Sequence, residues 1–470
     1  MATLSAAAST LPAPTIAARL DRLPPSKTLL RLVLLVAAGG FFEFYDLFMT
    51  AYIGVGLIQA GIFTATTASF FDVHGLASFV GAGFAGMFIG TLVFSRISDV
   101  YGRRTAFILA LTWYSIATLV MAFVSSAGAI VFWRFLAGIG VGVQLITVDT
   151  YVTEITPKEA RGRYIAVSQM VSFCAVPVVA AASLLLIPRS FFGLAGWRYV
   201  AIIGGVGGAL LAPVLRSKLP ESPRWLESQG RAAEAEATVR KLEDGARREA
   251  GGAELPPPQT LPDERTSKHG AWREIWSPEY RGRTIMLTAF NLFQTVGFYG
   301  FAAWVPTLLL SEGVTVTKLL TYVFIIAILN PLGPLIAIRF ADAVQRRWQI
   351  VGLALLIAVC GLLWAQQRSA AGIIVLGAII TLANNWFSSE FHAYQAELYP
   401  TRIRAEAVGF VYSWSRFSSI FIGFLIAYVL KANGATGVFV VIAIAMAIVA
   451  AVIGFAGPNT NKVRLEALAH

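Results

Sequence analysis

RISDVYGRRTAF, residues 96–107, returns in altered form as RFADAVQRRWQI at 339–350. Asp99 falls on Asp342 and Arg103–Arg104 on Arg346–Arg347, at an offset of 243 residues without a gap. A second pair keeps that offset: YVTEITPKEAR (151–161) aligns with YQAELYPTRIR (394–404). It matches Glu154 to Glu397, Pro157 to Pro400 and Arg161 to Arg404. Two matches at one offset indicate internal duplication. The segments between these motifs are apolar runs of roughly 20 residues, the length that crosses a bilayer as a helix. The duplicated unit is therefore a set of membrane spans.

Composition agrees. Of 470 residues, 57% are hydrophobic and 13% charged, where a soluble domain carries about 25% charged residues. Hydropathy predicts twelve spans, including spans 5, 7 and 8 over 162–188, 284–310 and 317–340. The expected fold is an all-α membrane protein with twelve transmembrane helices in two pseudo-symmetric six-helix bundles, at 29–216 and 283–457. A tail (1–28), a hydrophilic loop (217–282) and a second tail (458–470) complete the chain. The loop contains one polar helical stretch, GRAAEAEATVRKLEDGARREA (230–250), before a break at Pro256–Pro258. The first apolar run is too long for a signal-peptide core and is expected to remain as span 1.

The net charge of +11 follows topology. Only Arg189, Arg198, Lys318, Arg368 and Lys431 flank one side, and Arg134 and Arg416 lie within spans. Every other Lys and Arg falls on the opposite side, which the positive-inside rule makes cytoplasmic. Both termini are then cytoplasmic, and the expected location is the cell (inner or plasma) membrane. No nucleic-acid partner is implied. Cys174 and Cys360 sit in spans, and His74, His269, His392 and His470 are scattered, so no disulfide, metal site or cofactor is expected. No nucleophile–base set points to an enzyme, and no phosphate-binding loop points to an ATP-driven pump. Gly86 and Gly90, with Gly138, Gly140 and Gly142, read instead as close helix packing.

Two acids stand out in span 1. GGFFEFYDLFMTAYIG (39–54) places Glu43 and Asp46 three residues apart on one helix face. An ionisable group there costs about 2.5–3.5 kcal/mol on insertion scales and marks a functional site. At about 1.5 Å per residue, Asp46 and Arg134 fall at similar depth. Such a pair can switch protonation: near Arg the carboxylate ionises, and away from it, in a low dielectric, it takes a proton. A static ion pair locking spans 1 and 4 is the plainer alternative. Asp149 and His392 also match at the 243 offset and are expected to face each other near the cytoplasmic mouth as an inner gate. A capping Asp and a backbone-bonded His are the plainer alternative for those two.

Arg416, mid-span, needs an anion, and its planar fork suits a carboxylate. Aromatic residues surround it in spans 7, 10 and 11, among them Phe293, Tyr299, Trp386 and Tyr412. Gln169, Gln294, Asn291, Asn384 and Asn385 add hydrogen-bonding groups. A cation with aromatic walls suggests a small organic anion, best an aromatic or heteroaromatic acid. A neutral polyol or sugar, or a cation, remains open.

S-x(3)-D-x-x-G-R-R after span 2, RFLAGIGVG (134–142), the paired E-x(6)-R segments and PESPRWLESQGR (220–231) together resemble the major facilitator superfamily, in its sugar-porter and metabolite:proton symporter branch. The resemblance covers about residues 29–466. It implies an acid–Arg proton couple at Asp46 and Arg134, with Glu43 beside it. It also implies a cytoplasmic ion-pair gate built from Asp99, Arg103, Arg104, Glu154, Arg161, Asp342, Arg346, Arg347, Glu397 and Arg404, with Asp149 nearby. The pattern departs where the branch holds sugar. Phe293 and Tyr299 replace a Gln and an Asn in span 7, His392 stands in place of a Trp, and Ser415–Arg416 occupy a cavity-lining pair.

The expected function is secondary active transport, a proton-coupled symporter importing a small metabolite. Its partners are the substrate, protons and the lipid bilayer, and the chain acts as a monomer. An uncoupled facilitator and a non-transporting nutrient receptor are the competing readings.

Overall fold

A computed structural model describes residues 15–66, 69, 71–93, 98, 100–157, 160–258, 271–340, 344–399 and 401–460. A short helix α1 (Ile16–Asp21) precedes α2 (Lys27–Gln59), α3 (Leu76–Val93), α4 (Arg103–Phe123), α5 (Ala127–Ile155), α6 (Arg161–Phe173), α7 (Ala175–Leu186) and α8 (Gly196–Lys218). A two-residue hairpin, β1 (Ser190–Phe191) with β2 (Leu194–Ala195), joins α7 to α8. The loop helices are α9 (Pro223–Ser228), α10 (Ala232–Glu249) and α11 (Ala271–Glu274). The second bundle holds α12 (Arg281–Ala302), α13 (Val305–Ser311), α14 (Val316–Ala327), α15 (Leu332–Phe340), α16 (Arg346–Ala365), α17 (Ala370–Glu397) and α18 (Thr401–Ala456).

Among the described residues, ten segments are long and apolar enough to cross a membrane, and Leu76–Leu92 is a shorter apolar helix. One segment is two spans: α18 breaks at Gly434, whose φ of 64° is open to glycine at little cost. The twelve-helix architecture follows. Stripes of exposed apolar side chains, such as Leu109, Trp113, Ile116 and Phe123 on α4, face outward. Such a belt is stable against hydrocarbon and would be a liability in water.

The duplication is visible in the helix starts. Ser126 caps α5 by accepting from the Ala129 N–H, and Ser369 caps α17 by accepting from the Gly372 N–H. Both lie one repeat apart and satisfy donors that a helix start leaves open. The bundles differ before α4 and α16. Gly102 has φ 98°, and a Cβ there would lie 2.4 Å from Glu221 Oε2. Its counterpart Gln345 has φ −55°, which any side chain tolerates.

Spans 5, 7 and 8 are interrupted rather than continuous. The breaks fall at Cys174, at 303–304 and at 328–331. Proline explains them, since Pro177, Pro306, Pro331 and Pro334 lack an N–H and clash with the preceding turn. At the last break Asn330 Nδ2 donates to the Ala327 carbonyl at 3.0 Å. The polar stretch 230–250 forms α10, as its pattern predicts.

Glycine sets how closely α3 and α5 approach. A Cβ on Gly138 would stand 2.3 Å from the Gly83 carbonyl, and one on Gly142 2.3 Å from that of Met87. Across the bundles, α3 runs along α18 and α7 beside α14. Ring contacts close this seam: Phe71 with Phe424 at 5.2 Å and Phe84 with Tyr299 at 4.6 Å between centroids.

Candidate functional site

The acids of α2 lie inside the first bundle. Asp46 is 2% exposed and Arg134, on α5, 1%. Arg134 Nη1 donates to Asp46 Oδ2 at 2.6 Å. Thr118 of α4 donates its hydroxyl to the other oxygen, Oδ1, at 2.6 Å. Both carboxylate oxygens are thus bonded, as burying a charge requires. Gly83 leaves room for the guanidinium, because a Cβ there would fall 2.9 Å from Arg134 Nε. The Phe79 ring lies 5.9 Å from Arg134 Cζ. A small cleft between the bundles, lined by Leu47, Thr50, Phe84, Arg134, Tyr299 and Ala303, leads to this pair.

Glu43, one turn earlier, is buried and lies within electrostatic reach of Asp149, Arg416 and Asp46. No salt bridge to Glu43 forms among the described residues.

Arg416 of α18 is 3% exposed. Its Nη1 donates to the Tyr299 hydroxyl at 2.5 Å and its Nη2 to the Tyr412 hydroxyl at 2.7 Å. Both rings also flank the cation, at 5.7 and 4.9 Å from Cζ. Among the described residues no carboxylate forms a salt bridge with it. His392 meets the Tyr412 ring edge-on at 5.1 Å and stacks on Phe391 at 4.2 Å. Its Nδ1 lies 2.7 Å from the Ser388 carbonyl oxygen.

Asp149 and His392 are both solvent-exposed although each sits within a span. A water-accessible space between the bundles is the simplest geometry that exposes both. Gln169 lies beside Asp149. No hydrogen bond joins Asp149 to His392.

Other expected substrate contacts have packing partners. Asn291 donates to Gln395 Oε1 at 2.7 Å and to the Leu287 carbonyl at 2.9 Å, tying α12 to α17. Asn385 donates to Asn330 Oδ1 at 2.9 Å, and Ser415 to the Tyr412 carbonyl at 2.7 Å. The donors of these three side chains are bonded within the protein, those of Asn291 and Asn385 to neighbouring segments and that of Ser415 within α18. Gln294 and Asn384 are buried beside them.

At the end of the bundles that carries the duplicated motifs, the repeat appears in the ion pairs. Arg103 Nε meets Glu154 Oε1 at 3.0 Å, and Arg346 Nε meets Glu397 Oε1 at 2.9 Å. Each pair joins helices of its own bundle. Between described residues no ion pair crosses from one bundle to the other, and these two pairs brace their own halves. Arg104 donates its backbone N–H to Glu221 at 2.9 Å and its side chain to the Arg216 carbonyl, while Arg347 donates to the Gly454 carbonyl. Arg161 lies 3.9 Å from Asp21. Asp99, Asp342 and the Arg404 side chain lie outside the described residues.

Three residues escape the sequence reading. Thr118 carries no signal beyond a hydroxyl in a span. Glu390, 1% exposed, bonds Arg346 Nη1 at 2.9 Å. It is seven residues before Glu397, two turns along the same face, and that spacing was the available sign. Glu221, within PESPR, folds back onto the start of α4.

The family model described as "Sugar (and other) transporter" matches residues 32–470. YyaJ of Bacillus subtilis is 34% identical over 457 residues, covering 96% of this chain and 97% of that protein. The niacin transporter NiaP of Acinetobacter baylyi is 27% identical over 456 residues, covering 96% and 99%. The fold is similar to the xylose transporter XylE of E. coli in a partially occluded inward-open conformation. That match has a TM-score of 0.76 and 18% identity, over 93% of this chain and 100% of that one.

Proposed function

The chain belongs to the sugar (and other) transporter family, and from that premise we propose that it is a proton-coupled symporter importing a small aromatic or heteroaromatic carboxylate. Transport of a small molecule by a multi-pass membrane protein, rather than enzyme chemistry, is the family's business; the proton and the acid are the further step. Arg416 carries the reading. It is a buried, permanently charged guanidinium bonded to two neutral phenols, with no carboxylate salt-bridged to it among the described residues. A desolvated cation in that condition favours an anionic ligand strongly, and the rings of Tyr299, Tyr412 and Phe391 offer apolar walls. The niacin transporter is a relative whose name specifies a pyridine carboxylate. Proton coupling is supported by the Asp46–Arg134 pair, whose carboxylate gains or loses a proton as Arg134 separates from it or returns. The bundles rock about the α3–α18 and α7–α14 seams, exposing the space between them to each side in turn. The distribution of positive charge supports a cytoplasmic position for both termini.

Binding of nicotinate, benzoate and xylose to the purified protein tests this. A charge-assisted bond contributes about 1.5–3 kcal/mol, so Arg416→Ala should weaken either acid roughly 10- to 150-fold. Tight xylose binding, or acid binding that ignores Arg416→Ala, would favour the sugar reading. Binding without flux in vesicles would favour a receptor.

A further inference from the structure

The two walls of the inter-bundle space carry unlike ionisable groups. On the second bundle stand Arg416, Tyr412 and His392. On the first stand Asp149, exposed, and Glu43 behind it. Tyr412 lies within electrostatic reach of Arg416, Asp149 and Glu43 together, so a ligand packed on Tyr412 stands near the groups of both walls. Among the described residues neither acid has a salt-bridge partner, whereas Asp46 has Arg134. Arg134 is thereby spent inside its own bundle and Arg416 is across the seam. Gln169 supplies an amide beside Asp149.

A ligand with only a carboxylate would satisfy Arg416 and bring its apolar end against Asp149. That would desolvate an acceptor without replacing its water. The arrangement is complementary to a bipolar molecule. We infer that the substrate is an amphoteric aromatic acid, carrying a hydrogen-bond donor or a cationic nitrogen across the ring from its carboxylate, with that donor directed at Asp149. The inference rests on the reading of Arg416 as the carboxylate-binding residue. It adds Asp149 as the residue that decides which acids are accepted. The ring lies between, against Tyr412 and Phe391, where a flat π-face packs well.

Three probes separate the possibilities: benzoate, 4-hydroxybenzoate and N-methylnicotinate, measured by calorimetry on the full chain in lipid nanodiscs. 4-Hydroxybenzoate and N-methylnicotinate should bind at least about tenfold tighter than benzoate, the size of one buried polar partnership. Asp149→Ala should erase both advantages, and benzoate should bind no weaker than to the native chain, because the acceptor it leaves desolvated is gone. Asp149→Asn keeps an acceptor, so it should retain the hydroxyl preference and lose the cationic one, and it serves if the alanine variant does not fold. Arg416→Ala should weaken all three. Equal binding of the three by the native chain overturns the inference, as does an Asp149→Ala that weakens all three alike, which is the behaviour of a gate. Acid binding that is indifferent to Arg416, or no binding of any probe, overturns the carboxylate reading itself.

Discussion

Replacing Asp46 by Asn removes one negative charge from a site where the guanidinium of Arg134 stands 2.6 Å away and the Thr118 hydroxyl saturates the second oxygen. The shape is kept and a carbonyl oxygen can still accept one bond, but a buried cation loses its counter-ion. Breaking such a pair costs about 3–5 kcal/mol, and the retained bond reduces this by about 1 kcal/mol. The variant should therefore fold with a lowered unfolding midpoint. Its transport should change in kind. One monoanion moved with one proton transfers no net charge, so accumulation follows the pH difference alone. One unit is about 1.4 kcal/mol, or tenfold. Proteoliposomes holding the native chain, acid outside by one unit, should concentrate the acid about tenfold over the neutral-pH control. For a monoanion such as 4-hydroxybenzoate an imposed membrane potential should add little. A neutral sugar moved with one proton would respond to potential, at about 2.3 kcal/mol or roughly 50-fold per 100 mV. Asp46→Asn should equilibrate substrate without concentrating it, while still exchanging labelled for unlabelled acid. A variant that folds and still concentrates substrate tenfold would refute Asp46 as the coupling site.

Three further outcomes are expected. Arg346→Ala leaves the buried Glu390 without its cation and should cost about 3–5 kcal/mol, against about 0–1 kcal/mol for the more accessible Arg103–Glu154 pair in Arg103→Ala; thermal unfolding in detergent measures both, and Glu390→Gln should rescue the first. Gly138→Val forces a side chain against the Gly83 carbonyl and should prevent folding, whereas Gly352→Ala, with nothing within 4 Å, should be neutral by fluorescence size exclusion. Helix α1 is strapped to α10 by Arg19 and Arg22 on Glu243, at 2.7 and 2.5 Å. Burial raises the Glu243 pKa, but the bonds from Arg19 and Arg22 outweigh it, so the carboxyl sits below its usual 4.5. A depressed carboxylate stabilises above the unfolded value and loses that contribution as pH falls through the folded one. The strap should hold from pH 8 down to about pH 5 and loosen only below the usual carboxylate pKa of about 4.3; hydrogen exchange in α1 against pH reads this directly.

Much of the architecture needs only local information. A span is a run of apolar residues of a given length, and duplication is a matching of residues at a fixed offset, so the linear text holds both. The 243-residue offset that pairs Arg103 with Arg346 reappears as two ion pairs of nearly equal length, at 3.0 and 2.9 Å. Asp46 and Arg134 could be matched by depth because helical rise is constant. The lateral arrangement is a different quantity. Whether a buried polar side chain faces a cavity or a neighbouring helix depends on the rotation of its helix and on what packs there, and hydropathy is blind to rotation. Asn291 and Asn385 carry the same amide, and their bonds to Gln395 and Asn330 cannot be read from position along the chain. Thr118 and Glu390 looked ordinary and turn out to bond the charges of Arg134's partner and Arg346. The breaks at 303–304 and 328–331 depend on proline, which the chain displays, but the loss of helix there depends on neighbours that make it tolerable. Above all, that Arg134 is bonded to a carboxylate while Arg416 is bonded to phenols could be decided only by folding. Charge is written in the chain; its neutralisation belongs to three dimensions.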